Sequence, residues 1–179
     1  MGALFFLAFA YFAVGQATNL RSKAQTAADA SALAAARQNR DEVKTAFLNA
    51  LDSGDDSLLG RLLSDAGTDD IAACQAARTY AGDNHATVQQ CDRAGSGVGY
   101  TVSVITDDTV GSSVIDGTDS KQATAAATAV VEPRCSLGSD ATDGHTIRFS
   151  CDGGPLTIDP TATGFTLDLS DFYSVHLTK

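Results

Sequence analysis

Residues 1–15 read MGALFFLAFAYFAVG, and residues 20–51 read LRSKAQTAADASALAAARQNRDEVKTAFLNAL. The first stretch has no charged side chain, and Gln16, Thr18 and Asn19 are the only polar residues between it and Arg21, which ends it. The second holds no Pro or Gly; Ala dominates, surrounded by Leu, Gln, Arg, Lys and Glu, the strongest helix formers. Leu33, Ala36, Val43, Phe47 and Ala50 or Leu51 recur mostly at three- and four-residue steps, which puts them on one apolar face. Polar residues, Arg40 and Lys44 among them, fill the other face. Asp52, Ser53 and Gly54 then stop the helix. Unbroken from Met1 to Leu51, it would span roughly 75 Å, with Gly15 as the internal weak point. A rod of that length cannot bury its first half in its own domain. Lipid or copies of the same helix must cover it.

The side chains to be covered are Leu4, Phe5, Phe6, Leu7, Phe9, Tyr11, Phe12 and Val14. The segment approaches the roughly 20 residues that cross a bilayer but turns polar at its C-terminal end. It lacks the basic n-region of a signal peptide and the flanking Lys or Arg that orients a membrane anchor. Removal of a basic leader would explain both absences; an uncleaved signal peptide is the alternative. Farther along, Ala24, Ala27, Ala28 and Leu33 offer little bulk and are candidates for close helix packing. Plain helix propensity accounts for the same alanines.

Outward from the helix, composition and charge change. Residues 1–51 carry five basic and three acidic side chains, a net +2, so a chain total of −10 leaves −12 on residues 52–179. Such an acidic surface disfavours nucleic acid and anionic membrane as partners; it also simply keeps an exposed domain soluble. The division expected is a hydrophobic helix over 1–52 and an acidic domain over 53–179. Within the latter, Ser57–Leu63 reads as a short helix. A second runs from Thr68 to about Tyr80, capped by Thr68, Asp69 and Asp70 and stopped near Gly82. Alternation predicts strands at Tyr100–Thr106, Thr128–Val131, Thr146–Cys151, Phe165–Leu169 and Phe172–Leu177, separated by Asp, Gly, Ser and Thr clusters. The fold class is α+β: one long helix and a small, antiparallel β-rich domain.

Four cysteines behind an export-type N-terminus point to two disulfides, for which three connectivities exist. Cys74–Cys91 and Cys135–Cys151 close short local loops and are favoured. A metal site would want tighter Cys-x-x-Cys spacing or paired histidines, and neither occurs. Nor does catalytic chemistry: His85, His145 and His176 are scattered, and no HExxH or GxSxG is present. Gly95-Ser96-Gly97-Val98-Gly99 precedes a strand, so it reads as a loop instead of a phosphate cradle. Asp107, Asp108, Asp116 and Asp119 could attract Ca²⁺ but lack EF-hand spacing, and solvated turns explain them equally. No enzyme activity, cofactor or metal is expected.

Arg21, Gln25, Ala27, Ala28, Asp29, Ala30, Ala32 and Leu33, placed directly after an apolar N-terminus, form a block that resembles TadE/TadG-like Flp pilus-assembly proteins. Ala72–Arg78 with Cys91 resembles a TadE-like, secretion-associated branch seen in actinobacteria. The resemblance implies a pilin-like fold, inner-membrane insertion before assembly, self-association into a cell-surface filament, and contact with pilus or secretion machinery. A membrane-anchored minor subunit or assembly factor is the alternative, and a stalked adhesion domain is another. Major pilins of this general type carry a glutamate near the mature N-terminus; Phe5 stands at the fifth position here.

Overall fold

The computed structural model describes the backbone of residues 2–64, 69–95, 98–111, 117–143 and 145–178, and the side chains of these except 2–7, 10 and 139–143. Helix α1 runs Gly2–Glu42 and α2 runs Lys44–Ser53. The expected single helix is thus interrupted at one residue, Val43, although its carbonyl still accepts from Phe47 N at 2.8 Å. Beyond Val43 the buried residues are Phe47, Ala50 and Leu51. Gly54 ends α2 with φ +63°, a left-handed cap that Gly supplies without strain. Helices α3 (Asp56–Ser64) and α4 (Asp70–Asp83) follow. Asp69 caps α4, its carboxylate accepting from Ile71 N at 2.9 Å and Ala72 N at 3.1 Å. The helix passes Gly82 by one residue and ends at Asn84.

Among the described residues seven strands make two antiparallel sheets. β1 (Ala86–Arg93), β2 (Val98–Thr106), β3 (Thr124–Pro133) and β7 (Tyr173–Thr178) form one, in the order β1-β2-β3-β7. β4 (Cys135–Asp143), β5 (Thr146–Cys151) and β6 (Gly154–Ile158) form the other. Helix α1 lies on the larger sheet beside α4, and the contact is built from small residues. Ala24, Ala27, Ala28, Ala32, Ala35 and Ala36 of α1 are buried, as are Ala73, Ala77 and Ala81 of α4. All of these except Ala24 share a core with Tyr100, Val102 and Val104 of β2 and Ala129 and Val131 of β3. Side chains this short let helix and sheet backbones approach closely.

Phe47, Phe149 and Phe172 join the two halves of the core. Phe172 sits 4.8 Å from Phe47 and 5.0 Å from Phe149 by ring centroids, tilted and edge-on respectively, as ring quadrupoles prefer. The expected strand Phe165–Leu169 is instead a loop running into a 3-10 turn at Leu169–Asp171. Leu167 and Leu169 are still buried, so the alternation marks side chains that pin a loop to the core.

Among the described residues of the glycine-rich stretch, Gly99 meets a strict steric demand. A Cβ on Gly99 would collide with the carbonyl oxygen of Ala129 and lie 2.9 Å from Val130 Cα, both backbone atoms of the paired strand. Overpacking of this kind costs about 1–3 kcal/mol. Gly99→Ala should therefore lower the unfolding free energy by that amount, read as a lower denaturant midpoint at unchanged slope, and an unchanged midpoint would show that β2 and β3 can separate freely here.

Candidate assembly site

The expected functional segment is the N-terminal part of α1, and its burial pattern shows where the domain stops holding it. Ala13, Leu20, Ala24 and Ala27 are buried and Gln16 is half-buried, a spacing that keeps one face of the helix turned inward. Lys23 fixes this face to the loop after β2 through Asp108, Nζ to Oδ2 3.1 Å, an exposed pair of small energetic weight. Around the rest of the helix the apolar side chains are bare: Phe9 is 55% exposed, Phe12 and Val14 62% each, and Tyr11 85%. Among the described residues, nothing beyond the helix's own neighbouring turns stands within 4 Å of the Cβ position of Gly15. Leu4, Phe5, Phe6 and Leu7 lie outside the described side chains, although their backbone belongs to α1.

Three exposed aromatic residues and a valine within six positions are a local apolar surface that folding has left uncovered. The expectation that this stretch spans a membrane finds no support. Among the described residues no helix is long and apolar enough to cross one. Gln16, Thr18, Asn19, Arg21, Ser22 and Lys23 bring polar groups into the helix within about three turns of the aromatic cluster.

Of the residues expected to pack helices, Ala24, Ala27 and Ala28 are fully buried within the chain and Leu33 is partly so. Both disulfides are present in the favoured pairing. Cys74–Cys91 links α4 to β1, and Cys135–Cys151 links registered neighbours of β4 and β5. The acidic turns are engaged internally: Asp107 accepts from Thr87 Oγ1 at 2.9 Å, Asp108 pairs with Lys23, and Asp119 accepts from Ser120 N. Asp116 lies outside the described residues. His176 approaches Glu132 at 3.8 Å.

A polar cluster that local sequence patterns do not disclose fastens the seat of the helix. Tyr100 Oη donates to Asp70 Oδ1 at 2.7 Å, and Arg93 Nε donates to the same oxygen at 2.6 Å. Asn39, buried on α1, reaches Tyr100 Oη at 3.4 Å. One knot thus ties α1, α4, β1 and β2. The Tyr100 hydrogen bond, with Arg93 adding to it, holds the Asp70 carboxyl below its ordinary pKa; burial and the same carboxylate push the Tyr100 phenol up. A depressed folded-state pKa stabilises the fold above the unfolded value, near pH 4, and that contribution disappears as pH falls through the folded value. The melting temperature of Asp70→Asn should consequently fall less than that of the parent between about pH 5 and pH 2. Parallel curves would remove Asp70 from the acid response.

Comparison with known families places its match on this same helix. Residues 1–38 match the model of Tad, described as "Putative Flp pilus-assembly TadE/G-like". The Tad match takes in the whole buried alanine block of α1 but does not reach Ala72–Arg78, so it does not address the actinobacterial branch. No curated protein and no solved structure matches the chain.

Proposed function

We propose that this chain is a structural subunit of a pilus-like filament at the cell surface, its copies associating through the exposed N-terminal stretch of α1. The observation that carries the reading is the coincidence of two facts. Phe9, Tyr11, Phe12 and Val14 project from the open side of a helix whose other side turns inward from Ala13 onward, and the Tad match covers this segment. Burying one such aromatic side chain is worth about 2 kcal/mol or more, so covering the cluster gives a strong drive to associate. The acidic domain would then coat the outside, where like charge keeps neighbouring filaments apart.

A second reading, a minor subunit that serves assembly without forming the bulk of a fibre, is favoured by the wording of the family description, which names assembly. Electron microscopy of material sheared from producing cells, with intact mass spectrometry of its main band, separates the two. Regular fibres built mainly of this chain support the structural subunit. Fibres with this chain as a trace component support the minor one, and its absence from sheared material overturns both.

A further inference from the structure

The larger sheet ends on β7, and the register tells which of its backbone groups are engaged. Arg134 N donates to Phe172 O at 2.8 Å, and the β3–β7 partners continue without a shift as Glu132↔Ser174, Val130↔His176 and Thr128↔Thr178. Bonded and unbonded pairs alternate along an antiparallel ladder, so Ser174, His176 and Thr178 direct their N–H and C=O groups to β3. Tyr173, Val175 and Leu177 direct theirs away from it, toward an edge where no other strand pairs among the described residues. The side chains of these three lie on the core face. Tyr173 is buried, Val175 half-buried and Leu177 exposed, so the cover runs out along the strand.

The margins at β1 and β6 are guarded. β1 carries a bulge between Val88 and Gln90, bears Asp92 and Arg93, and is stapled to α4 by Cys74–Cys91. β6 contains Pro155, which has no N–H to offer a new strand. β7 has no bulge, no proline and no carboxylate.

We infer that β7 pairs antiparallel with β7 of a second copy, with Val175 facing Val175 across the two-fold axis. This register sets the open backbone groups against one another and puts Tyr173 of each copy opposite Leu177 of the other. The two half-covered apolar rows then adjoin and cover each other. A carboxylate-free strand is also where two acidic domains meet with least repulsion. The contact is isologous and closes at two copies, so it joins subunits pairwise and is independent of association through the helix tip. A single six-residue strand pair is far smaller than the roughly 1,600 Å² of a standard stable interface, so covalent trapping is the suitable readout.

The test uses the full chain carrying Val175→Cys, kept in mild detergent to cover the tip and then oxidised. All native cysteines are bonded, so the added thiol alone can link copies. Within a pre-aligned pair the covalent dimer should form about tenfold or more faster than for Ser120→Cys, an exposed position off the strand. Adding Leu177→Pro deletes one outward N–H while sparing the β3 ladder, and should reduce the dimer about fivefold. A Val175→Cys rate equal to the Ser120→Cys rate overturns the pairing, as does indifference to Leu177→Pro. Should Val175→Cys fail to fold, a mixture of Ser174→Cys and His176→Cys chains, which face each other in this register, decides in the same way. Oxidation on producing cells that captures a different protein in place of the dimer overturns the second copy as occupant.

Discussion

Replacing Phe9, Tyr11 and Phe12 together with lysine is expected to abolish sedimentable assembly while leaving the domain folded. All three side chains are more than half exposed in the single chain, so the substitutions remove little that the fold uses. In an assembly each buried aromatic ring contributes about 2 kcal/mol, roughly 6 kcal/mol for the set, or about four orders of magnitude in an association constant. Lysine also adds charges that must be desolvated or expelled, which deepens the loss. Sedimentation of detergent-free material, compared with the same number of lysines placed elsewhere on the surface, reads the effect. A triple variant that pellets like its parent, with an unchanged melting temperature, would move assembly away from the tip.

Reduction of both disulfides should unfold most of the domain at 37 °C. The closed loops have sequence separations of 17 and 16, and cross-links of that length contribute about 3 kcal/mol each. The sum, about 6 kcal/mol, is comparable to the total stability of a small domain. Far-ultraviolet circular dichroism during urea titration, with and without reductant and with thiols counted, measures it. A midpoint that survives complete reduction would mean that the alanine-rich contact of α1 and α4 carries the fold by itself. Restoring each bridge singly distinguishes them: Cys74–Cys91 holds a helix on a sheet, whereas Cys135–Cys151 secures the hairpin of β4 and β5.

What the sequence made plain follows from how local each signal is. A run of helix formers without Pro or Gly between Leu20 and Leu51 needs no tertiary information, and it gave α1 beyond Leu20 and nearly all of α2. Val43 did not announce the interruption, because β-branching lowers helix propensity only slightly and the helices carry Thr26 and Thr45 without a break. Tyr100–Thr106 alternates cleanly since one face of β2 packs against the helices. β1 carries Gln89, Gln90, Asp92 and Arg93 on a bulged edge, and β6 is five residues with a Gly and a Pro, so neither has a pattern to read. Phe165, Leu167 and Leu169 had the pattern of a strand without its hydrogen bonds. At the site, the aromatic tip was readable because its apolarity exceeds any helix's need. The Asp70–Tyr100–Arg93 knot was not, because its members are joined only by the fold.

The placement of the disulfides sets how the molecule would answer a pull. Tension entering at the tip travels down α1, and every residue ahead of Cys74 is held to the domain by non-covalent contact alone. The alanine-lined seat is loaded along the axis of a 41-residue helix, in shear, so many small contacts must slip together before any yields. Should the helices draw out, extension halts briefly at each bridge, since residues between Cys74 and Cys91 and between Cys135 and Cys151 cannot lengthen. The fold is built as a sliding anchor backed by two stops.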